Sequence, residues 1–305
     1  MSVRRLALVG SVVGSLVAAL TLTACGSDDS AGAESATCPG GKVRFGVEPF
    51  EDPERLTPAA KILADALGEK LNCPVELTIT EDYSAEVLAM QNRKLDIGIF
   101  GPLGYVFAEK RAHAEAVASF GDANGKLSSY TAGIWVPKDS PLTSIKDLRD
   151  HSLALGAPGS TSGDALPRKA LLDAGLAADD VKVNYAGGHP EALLALKNGA
   201  VEAAEINSQQ LASATAAGTF DQSGFRRIWT SDPIPNDPIT VRGDHSPEFK
   251  KAVREALLKL PSDKVAKIGA LLDVDPPGPL VAVDKSTYQP LFDLAETLKL
   301  SEKDV

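Results

Sequence analysis

The hydrophobic positions of this chain alternate between short apolar runs and longer stretches with helical spacing. Val43–Val47 and Val75–Ile79 are apolar runs of strand length, so they predict two strands. Between them, apolar residues recur every three to four positions from 62 to 71, which predicts an amphipathic helix. Thr57 followed by Pro58 favours a helix start, with threonine as the cap and proline at the first helical position.

The same alternation continues along the rest of the chain. It predicts strands over residues 95–100, 131–136, 152–155, 181–183 and 201–205, with return strands at 225–230 and 239–242. Helices are predicted from Ser84, from about 103 to 112, from Ser144, after 159–163, from 187–189, over 209–217 and from Ser246, with a break at 276–279. Strands that alternate with helices indicate crossover helices on a mainly parallel sheet.

Two extended stretches, near 124–125 and near 235–238, divide this pattern into two α/β halves. We therefore expect two lobes with a cleft between them. Ligands of open α/β sheets bind beyond the carboxyl ends of the strands, so the loops that follow the strands are the ones to search for chemistry.

The first 25 residues have the pattern of an export signal. Arg4 and Arg5 precede an apolar run from 6 to 22, and Leu22-Thr23-Ala24-Cys25 resembles a bacterial lipobox. The likeness implies cleavage after residue 24 and a lipid on Cys25, which would hold the protein on the extracytoplasmic face of the cell membrane. The alternative is a spanning anchor, for which the glycine-containing run falls short of the ~20 apolar residues required. Residues 25–38 are small and polar and predict a flexible tether.

Composition narrows the class of protein. The chain has 305 residues, of which 44% are hydrophobic and 24% charged, as expected for one large or two ordinary globular domains. The net charge of -10 opposes nucleic-acid binding, which depends on clustered cations. Loss of the signal removes two arginines and no acid, so the mature chain has a net charge of -12.

Two cysteines remain after Cys25. Cys38 and Cys73 each precede a predicted strand. If those strands are parallel neighbours, both thiols lie at the same end of the sheet, and an oxidising compartment favours a disulfide between them. The alternative is two buried free thiols.

The strongest local signal for chemistry is Ser160-Thr161-Ser162-Gly163, between a predicted strand and a predicted helix. The start of a helix offers unpaired N–H groups, and three adjacent hydroxyls add donors that suit a tetrahedral oxyanion. Gly187-Gly188-His189 is a second glycine-rich helix start. The alternative for the first motif is an ordinary capped turn, and the alternative for His189 is a structural role.

Four stretches, in this order and spacing, resemble the substrate-binding proteins of phosphonate, phosphite and phosphate ABC transporters: 82–83, 95–102, 160–163, and 186–189 with 228–229 and 235–239. The resemblance implies an α/β, two-lobed periplasmic-binding-protein (venus-flytrap, type II) fold. Lobe 1 would comprise 39–127 and 240–305, and lobe 2 would comprise 128–239. The lobes would close on one small phosphorus oxyanion, and the protein would deliver it as a monomer to permease subunits.

The resemblance also assigns residues to the binding site. It implies that oxygens of the ligand are held by Ser160, Thr161, Ser162 and His189, and that Tyr83 and Tyr130 donate or form a wall. It also implies that Asp237 accepts from a protonated ligand oxygen or from a ligand amine. Tyr105 and Gln209 are further residues expected at the pocket. Aminoalkylphosphonate binders of the family have glutamate where Gln209 stands, and a neutral amide cannot pair with an ammonium group as a carboxylate does. Phosphite, methylphosphonate or phosphate is therefore the expected ligand, best bound in its singly protonated form.

Other functions stay open at this point. The same turn suits a binding protein for a sulfonate or for thiamine, and a serine near a histidine is compatible with a phosphoester hydrolase. The sequence contains no Gly-x-Ser-x-Gly, no His-Glu-x-x-His and no carboxylate cluster for two metals. We therefore expect no enzyme activity, no metal and no cofactor.

Overall fold

The computed structural model describes residues 36–300. The predicted signal of residues 1–24, the lipid site Cys25 and nearly all of the predicted tether lie outside these residues. Within 36–300, no helix has both the length and the apolar character needed to cross a membrane.

The first part of the chain contains four strands and three helices. In chain order these are β1 (Val43–Val47), α1 (Pro53–Leu71), β2 (Val75–Ile79), α2 (Tyr83–Gln91), β3 (Ile97–Ile99), α3 (Pro102–Ala112) and β4 (Glu115–Asp122). The middle part contains β5 (Ser129–Tyr130), β6 (Gly133–Pro137), β7 (Ser152–Leu155), α4 (Leu166–Asp173), β8 (Lys182–Tyr185), α5 (His189–Lys197), β9 (Ala203–Glu205), α6 (Ser208–Ala216), β10 (Phe225–Thr230) and β11 (Ile234–Pro235). The last part contains β12 (Ile239–Val241), α7 (Pro247–Leu258), α8 (Ser262–Leu271), β13 (Pro277–Ala282) and α9 (Gln289–Thr297).

Two mixed sheets organise these elements. The six-stranded sheet has the order β13-β4-β12-β3-β1-β2, and the five-stranded sheet has the order β10-β6-β9-β7-β8. β1 is parallel to β2 and β3, and β7 is parallel to β8 and β9, but the other strand pairs in both sheets are antiparallel. The expectation of a mainly parallel sheet is therefore wrong, because each sheet also contains antiparallel strand pairs beside its parallel ones.

A short ribbon links the two sheets. β5 pairs antiparallel with β11, and Tyr130 lies opposite Ile234. These two segments are the ones in which the chain leaves the first sheet and later returns to it, since β4 precedes β5 and β12 follows β11. The two sheets are thus connected through paired segments that place Tyr130 and the residues after Ile234 near each other.

Four clusters of buried apolar side chains cover the sheets. α1, α7 and α8 pack on the six-stranded sheet in the largest cluster, and α2, α3 and α9 form a second cluster. The five-stranded sheet packs against α4 in one cluster and against α5 and α6 in another. Helices on both faces leave the strand ends and their loops as the places where polar side chains can meet.

A disulfide joins Cys38 to Cys73, with 5.4 Å between the Cα atoms. The parallel pairing of β1 with β2 brings the two cysteines to the same end of the sheet. Both side chains are buried in the largest apolar cluster, so the bridge fastens the start of the described chain to the core.

Two predicted helix starts differ from the structure. α1 begins at Pro53, four residues before Thr57, because the Asp52 carboxylate accepts from the N–H of Glu54 and supplies the cap. Pro58 lies inside the helix, where it removes one backbone hydrogen bond. α2 is capped by Asp82 rather than by Ser84, since Asp82 accepts from the N–H of Ala85.

Candidate functional site

A small cavity lies where loops of the two sheets meet. Its volume is about 10 Å³, which is the scale of one water-sized sphere. The residues that line it are all buried: Glu48, Phe50, Tyr83, Gly101, Tyr130, Ser160, Thr161, Ser162, His189, Gln209 and Asp237. A ligand in this cavity would be enclosed, so its entry and release require the surrounding loops to separate.

Most of these residues stand at the ends of strands or the starts of helices. Glu48 directly follows β1, Ser160 caps the turn that leads into α4, and His189 is the first residue of α5. Tyr130 belongs to β5, and Asp237 lies in the segment between β11 and β12. Both sheets and the ribbon between them therefore contribute to one site.

In the turn at 160–162, each of the three hydroxyl oxygens accepts a hydrogen bond from the protein. Ser160 Oγ accepts from the N–H of Gly163 (3.1 Å), Thr161 Oγ1 from the N–H of Leu103 (2.9 Å), and Ser162 Oγ from Asn207 Nδ2 (3.0 Å). A hydroxyl has one hydrogen to donate besides the electron pairs that accept. Each of the three hydroxyls also has one hydrogen to donate, and all three residues line the cavity.

His189 is held by a buried carboxylate. Its Nδ1 lies 2.6 Å from Oε1 of Glu205, and its Nε2 lies 3.3 Å from Ser160 Oγ. Burial lowers the pKa of His189, but Glu205, Asp237 and Glu51 together outweigh it, so the pKa lies above its ordinary value. With Nδ1 donating to Glu205, a protonated ring presents its Nε2–H beside Ser160 as a charged donor.

Tyr83 and Tyr130 both contact the hydroxyl turn. Tyr83 hydrogen bonds to Ser160, and Tyr130 hydrogen bonds to Thr161 and Ser162. Burial raises the pKa of both phenols well above the ordinary value of 10, and nearby carboxylates raise it further. Both tyrosines are therefore neutral donors at physiological pH.

Two acids face the same cavity. Burial raises the pKa of Asp237 to about 7, although the nearby His189 lowers it. Burial and the charge of Asp237 raise the pKa of Glu48, despite a hydrogen bond from the N–H of Gly101.

Of these two acids, the sequence analysis identified Asp237 and missed Glu48. The available signal was the position of Glu48 directly after an apolar strand, because ligands bind beyond the carboxyl ends of strands.

Gln209 lines the cavity, with its side-chain amide held by Asn236. Gln209 Nε2 donates to Asn236 Oδ1 over 3.1 Å, and the same oxygen accepts from the N–H of Asp237 at 2.9 Å. The amide of Gln209 and the backbone of Asp237 are thus fixed by one shared partner.

Tyr105 does not line this cavity. Its ring packs edge-on against Tyr288 and Phe292, with centroid distances of 5.4 and 5.9 Å. The expectation that Tyr105 contributes to the pocket is therefore not met, because α3 directs this side chain into the apolar core beneath α9.

The charge of the site comes from groups other than lysine and arginine. The residues that line the cavity include neither. Across residues 36–300, no group of three or more histidine, cysteine, aspartate or glutamate side chains is arranged to hold a metal ion. The positive potential available to an anion therefore comes from His189 and from N–H and O–H dipoles.

Residues 45–288 match a protein family described as ABC transporter, phosphonate, periplasmic substrate-binding protein. The chain belongs to this family. It is 28% identical over 230 residues to the phosphonates-binding periplasmic protein of Escherichia coli, which covers 73% of this chain and 68% of that protein. It is 24% identical over 243 residues to the phosphate-import protein PhnD of Mycolicibacterium smegmatis, covering 75% of each.

Solved structures confirm the predicted fold. PhnD1 from Prochlorococcus marinus, in complex with methylphosphonate, has a TM-score of 0.74 at 19% identity and covers 87% of this chain and 99% of that one. A binding-protein component of a phosphonate ABC transporter from Pseudomonas aeruginosa also has a TM-score of 0.74, at 23% identity over 84% and 86% of the two chains. The chain therefore has the two-lobed periplasmic-binding-protein fold. As a member of the family matched over residues 45–288, it is a substrate-binding protein of an ABC transporter, not an enzyme.

Proposed function

We propose that this binding protein captures a small phosphorus oxyanion in the enclosed cavity and presents it to the permease subunits of an ABC importer. The observation that carries the proposal is the turn of Ser160, Thr161 and Ser162, whose hydroxyls face one cavity together with His189. Phosphite, methylphosphonate and phosphate all present tetrahedral oxygens to such donors. The lobes that close on the ligand are proposed to be 39–127 with 240–305, and 128–239.

The donors are neutral hydroxyl and N–H groups together with one side chain, His189, that is positively charged when protonated. Hydroxyls and N–H groups at a helix start suit a tetrahedral anion because they point at its oxygens without requiring a fixed counter-ion. His189 adds a charge-assisted hydrogen bond, which is shorter and stronger than one between neutral groups. This set explains how a chain of net charge -10 holds an anion.

Asp237 supports binding of a ligand that carries a proton. A carboxylate beside an anionic oxygen is repulsive unless one proton lies between them. The pKa of about 7 for Asp237 means that such a proton is available near neutral pH. We therefore propose that Asp237 shares one proton with a ligand oxygen, and that the singly protonated ligand binds best.

One feature favours a ligand without an amine. Gln209 is a neutral amide whose Nε2 already donates to Asn236, so it does not offer an ammonium group a carboxylate partner. A second candidate ligand class is favoured by no contact in the site.

We also propose that the mature protein is a monomer anchored by a lipid on Cys25. The lipobox-like sequence 22–25 supports the anchor, and the family's place outside the cytoplasm agrees with it. Incorporation of labelled palmitate that disappears in a Cys25→Ala variant would support the anchor, and unchanged labelling would contradict it.

Calorimetric titration tests the proposed ligand class. Phosphate, phosphite, methylphosphonate, aminoethylphosphonate, sulfate and an alkanesulfonate are compared in a buffer free of phosphate. We expect one of the first three to bind tightest, and a tighter sulfate, sulfonate or aminoethylphosphonate would contradict the proposal.

Thr161 supplies a matched pair of variants. Thr161→Val removes the hydroxyl while keeping the shape, and Thr161→Ser keeps the hydroxyl. A hydrogen bond to a charged group contributes about 1.5–3 kcal/mol, so the valine variant is expected to lose roughly 10- to 100-fold in affinity. The serine variant should remain close to the unsubstituted protein, and equal losses in both variants would count against a direct contact.

A further inference from the structure

Glu48 is a buried acid of the site, and one of its carboxylate oxygens has no hydrogen-bond partner among the described residues. It lines the cavity and is only 2% exposed. The N–H of Gly101 bonds to its carboxylate, but Oε2 has no hydrogen-bond partner among residues 36–300. A buried polar atom left without a partner costs about 1–3 kcal/mol, and more when it is charged. A partner for Oε2 is therefore needed when the site is occupied.

The groups around Glu48 do not provide that partner. Asp237 and Glu86 are both acids. The charge of Asp237 disfavours ionisation of Glu48, and the charge of Glu48 disfavours ionisation of Glu86. Tyr83 hydrogen bonds instead to Ser160, and Tyr130 to Thr161 and Ser162. Phe50, which lines the same cavity, has no polar side-chain atom. A ligand in the cavity can supply a partner for Oε2, because Glu48 lines that cavity.

The candidate ligands differ at one position only. Each has three oxygens on phosphorus, and the fourth substituent is hydrogen in phosphite, methyl in methylphosphonate and oxygen in orthophosphate. The hydroxyl turn with His189 and the carboxyl of Asp237 serve the three shared oxygens. A hydrogen or methyl group facing Glu48 leaves Oε2 without a partner, whereas a fourth oxygen shares a proton with it.

We propose that Glu48 is a specificity-determining residue that hydrogen bonds to the fourth oxygen of orthophosphate, so that the site takes orthophosphate in preference to phosphite and methylphosphonate. This inference rests on the proposed capture of a phosphorus oxyanion. It does not depend on whether the shared proton sits on the ligand or on Glu48. Burial and the charge of Asp237 raise the pKa of Glu48, which favours the protonated form of this acid.

Sites built to bond a polar group of the ligand reject analogues that lack the group far more strongly than apolar sites reject an extra polar group. Orthophosphate is therefore expected to bind at least tenfold tighter than methylphosphonate or phosphite. The opposite ranking, or equal affinities within threefold, would overturn the role of Glu48 while leaving capture of a phosphorus oxyanion intact. If none of the three ligands binds, the proposed function itself fails.

Glu48→Met tests the contact directly. Methionine has a similar length and no carboxylate, so the variant should lose at least tenfold in affinity for orthophosphate while binding methylphosphonate as well as or better than before. Glu86→Met is the matched control, because Glu86 is also fully buried with unpartnered oxygens but does not line the cavity. We expect it to leave the ranking of ligands unchanged.

The two variants together separate contact from charge. A change of ranking in Glu48→Met alone supports the proposal. A similar change in both variants would show that buried negative charge sets the preference, and would overturn it. Thermal unfolding of each variant without ligand confirms that the titrated protein is folded, and Glu48→Gln provides a second substitution at the same position if methionine prevents folding.

Discussion

Asp237→Asn is a substitution whose effect on stability follows from one buried group. The side chain is 3% exposed, and burial raises its pKa from 3.8 to about 7. In the unfolded chain the carboxyl has its ordinary pKa. Between about pH 4 and pH 7 the folded protein therefore holds a proton that the unfolded chain has lost, and the free energy of unfolding falls as the pH rises through this window.

The magnitude follows from the pKa difference. From pH 5 to the pKa of about 7, this group costs the folded protein about 3 kcal/mol, since each pH unit contributes about 1.4 kcal/mol. Above pH 7 the cost no longer grows. Asparagine does not titrate, so the unfolding free energy of the variant relative to the unsubstituted protein is expected to rise by this amount between pH 5 and pH 8.

Urea denaturation in phosphate-free buffers at pH 5 and pH 8 measures the difference. Comparing the two proteins at both pH values cancels any effect of the substitution that does not depend on pH. Asp139→Asn, at an exposed position, is the control and should show no such change. Parallel pH profiles for the Asp237→Asn variant and the unsubstituted protein would refute the raised pKa, and with it the proton proposed to lie between Asp237 and the ligand.

Three further predictions concern the same molecule. Glu205→Gln removes the charge that raises the pKa of His189, so ligand affinity should fall at a lower pH than in the unsubstituted protein; titrations from pH 5.5 to 8.5 would contradict this if the two profiles coincide. Replacing Cys38 and Cys73 by serine opens a loop with a sequence separation of 35 and should lower the unfolding free energy by about 3 kcal/mol, whereas an unchanged urea midpoint would exclude this role. Gly98→Ala places a methyl group 2.5 Å from the Phe100 ring and should cost more than about 2 kcal/mol, while Gly224→Ala, with open space around it, should be tolerated; equal urea midpoints for the two variants would argue against the close packing.

The sequence predicted the hydroxyl turn, His189 and Asp237 as site residues, and the structure brings all three to one cavity. Strand ends meet at one edge of a sheet, so polar residues that follow strands are recognisable without coordinates. Glu48 follows the same rule but was missed. A lone glutamate is usually solvated, and its burial depends on loops that are distant in sequence.

Four strands escaped prediction: the two-residue strands β5 and β11 of the ribbon, and the longer strands β4 and β13, which were missed for different reasons. β13 lies at an edge of the six-stranded sheet, where prolines are tolerated, so the proline-rich segment reads as a break although it pairs with β4. β4 is rich in alanine and begins and ends with acids, residue types that are depleted in strands. Its pairing with β12 and β13 on both sides supplies the stability that local propensity lacks.

A crystal structure of the protein grown with orthophosphate tests the central claim most directly. We predict phosphorus density inside the cavity, with ligand oxygens within hydrogen-bond distance of Thr161 Oγ1, Ser162 Oγ and His189 Nε2. Ligand density outside the cavity, or inside it but without contact to the hydroxyl turn, would contradict the account.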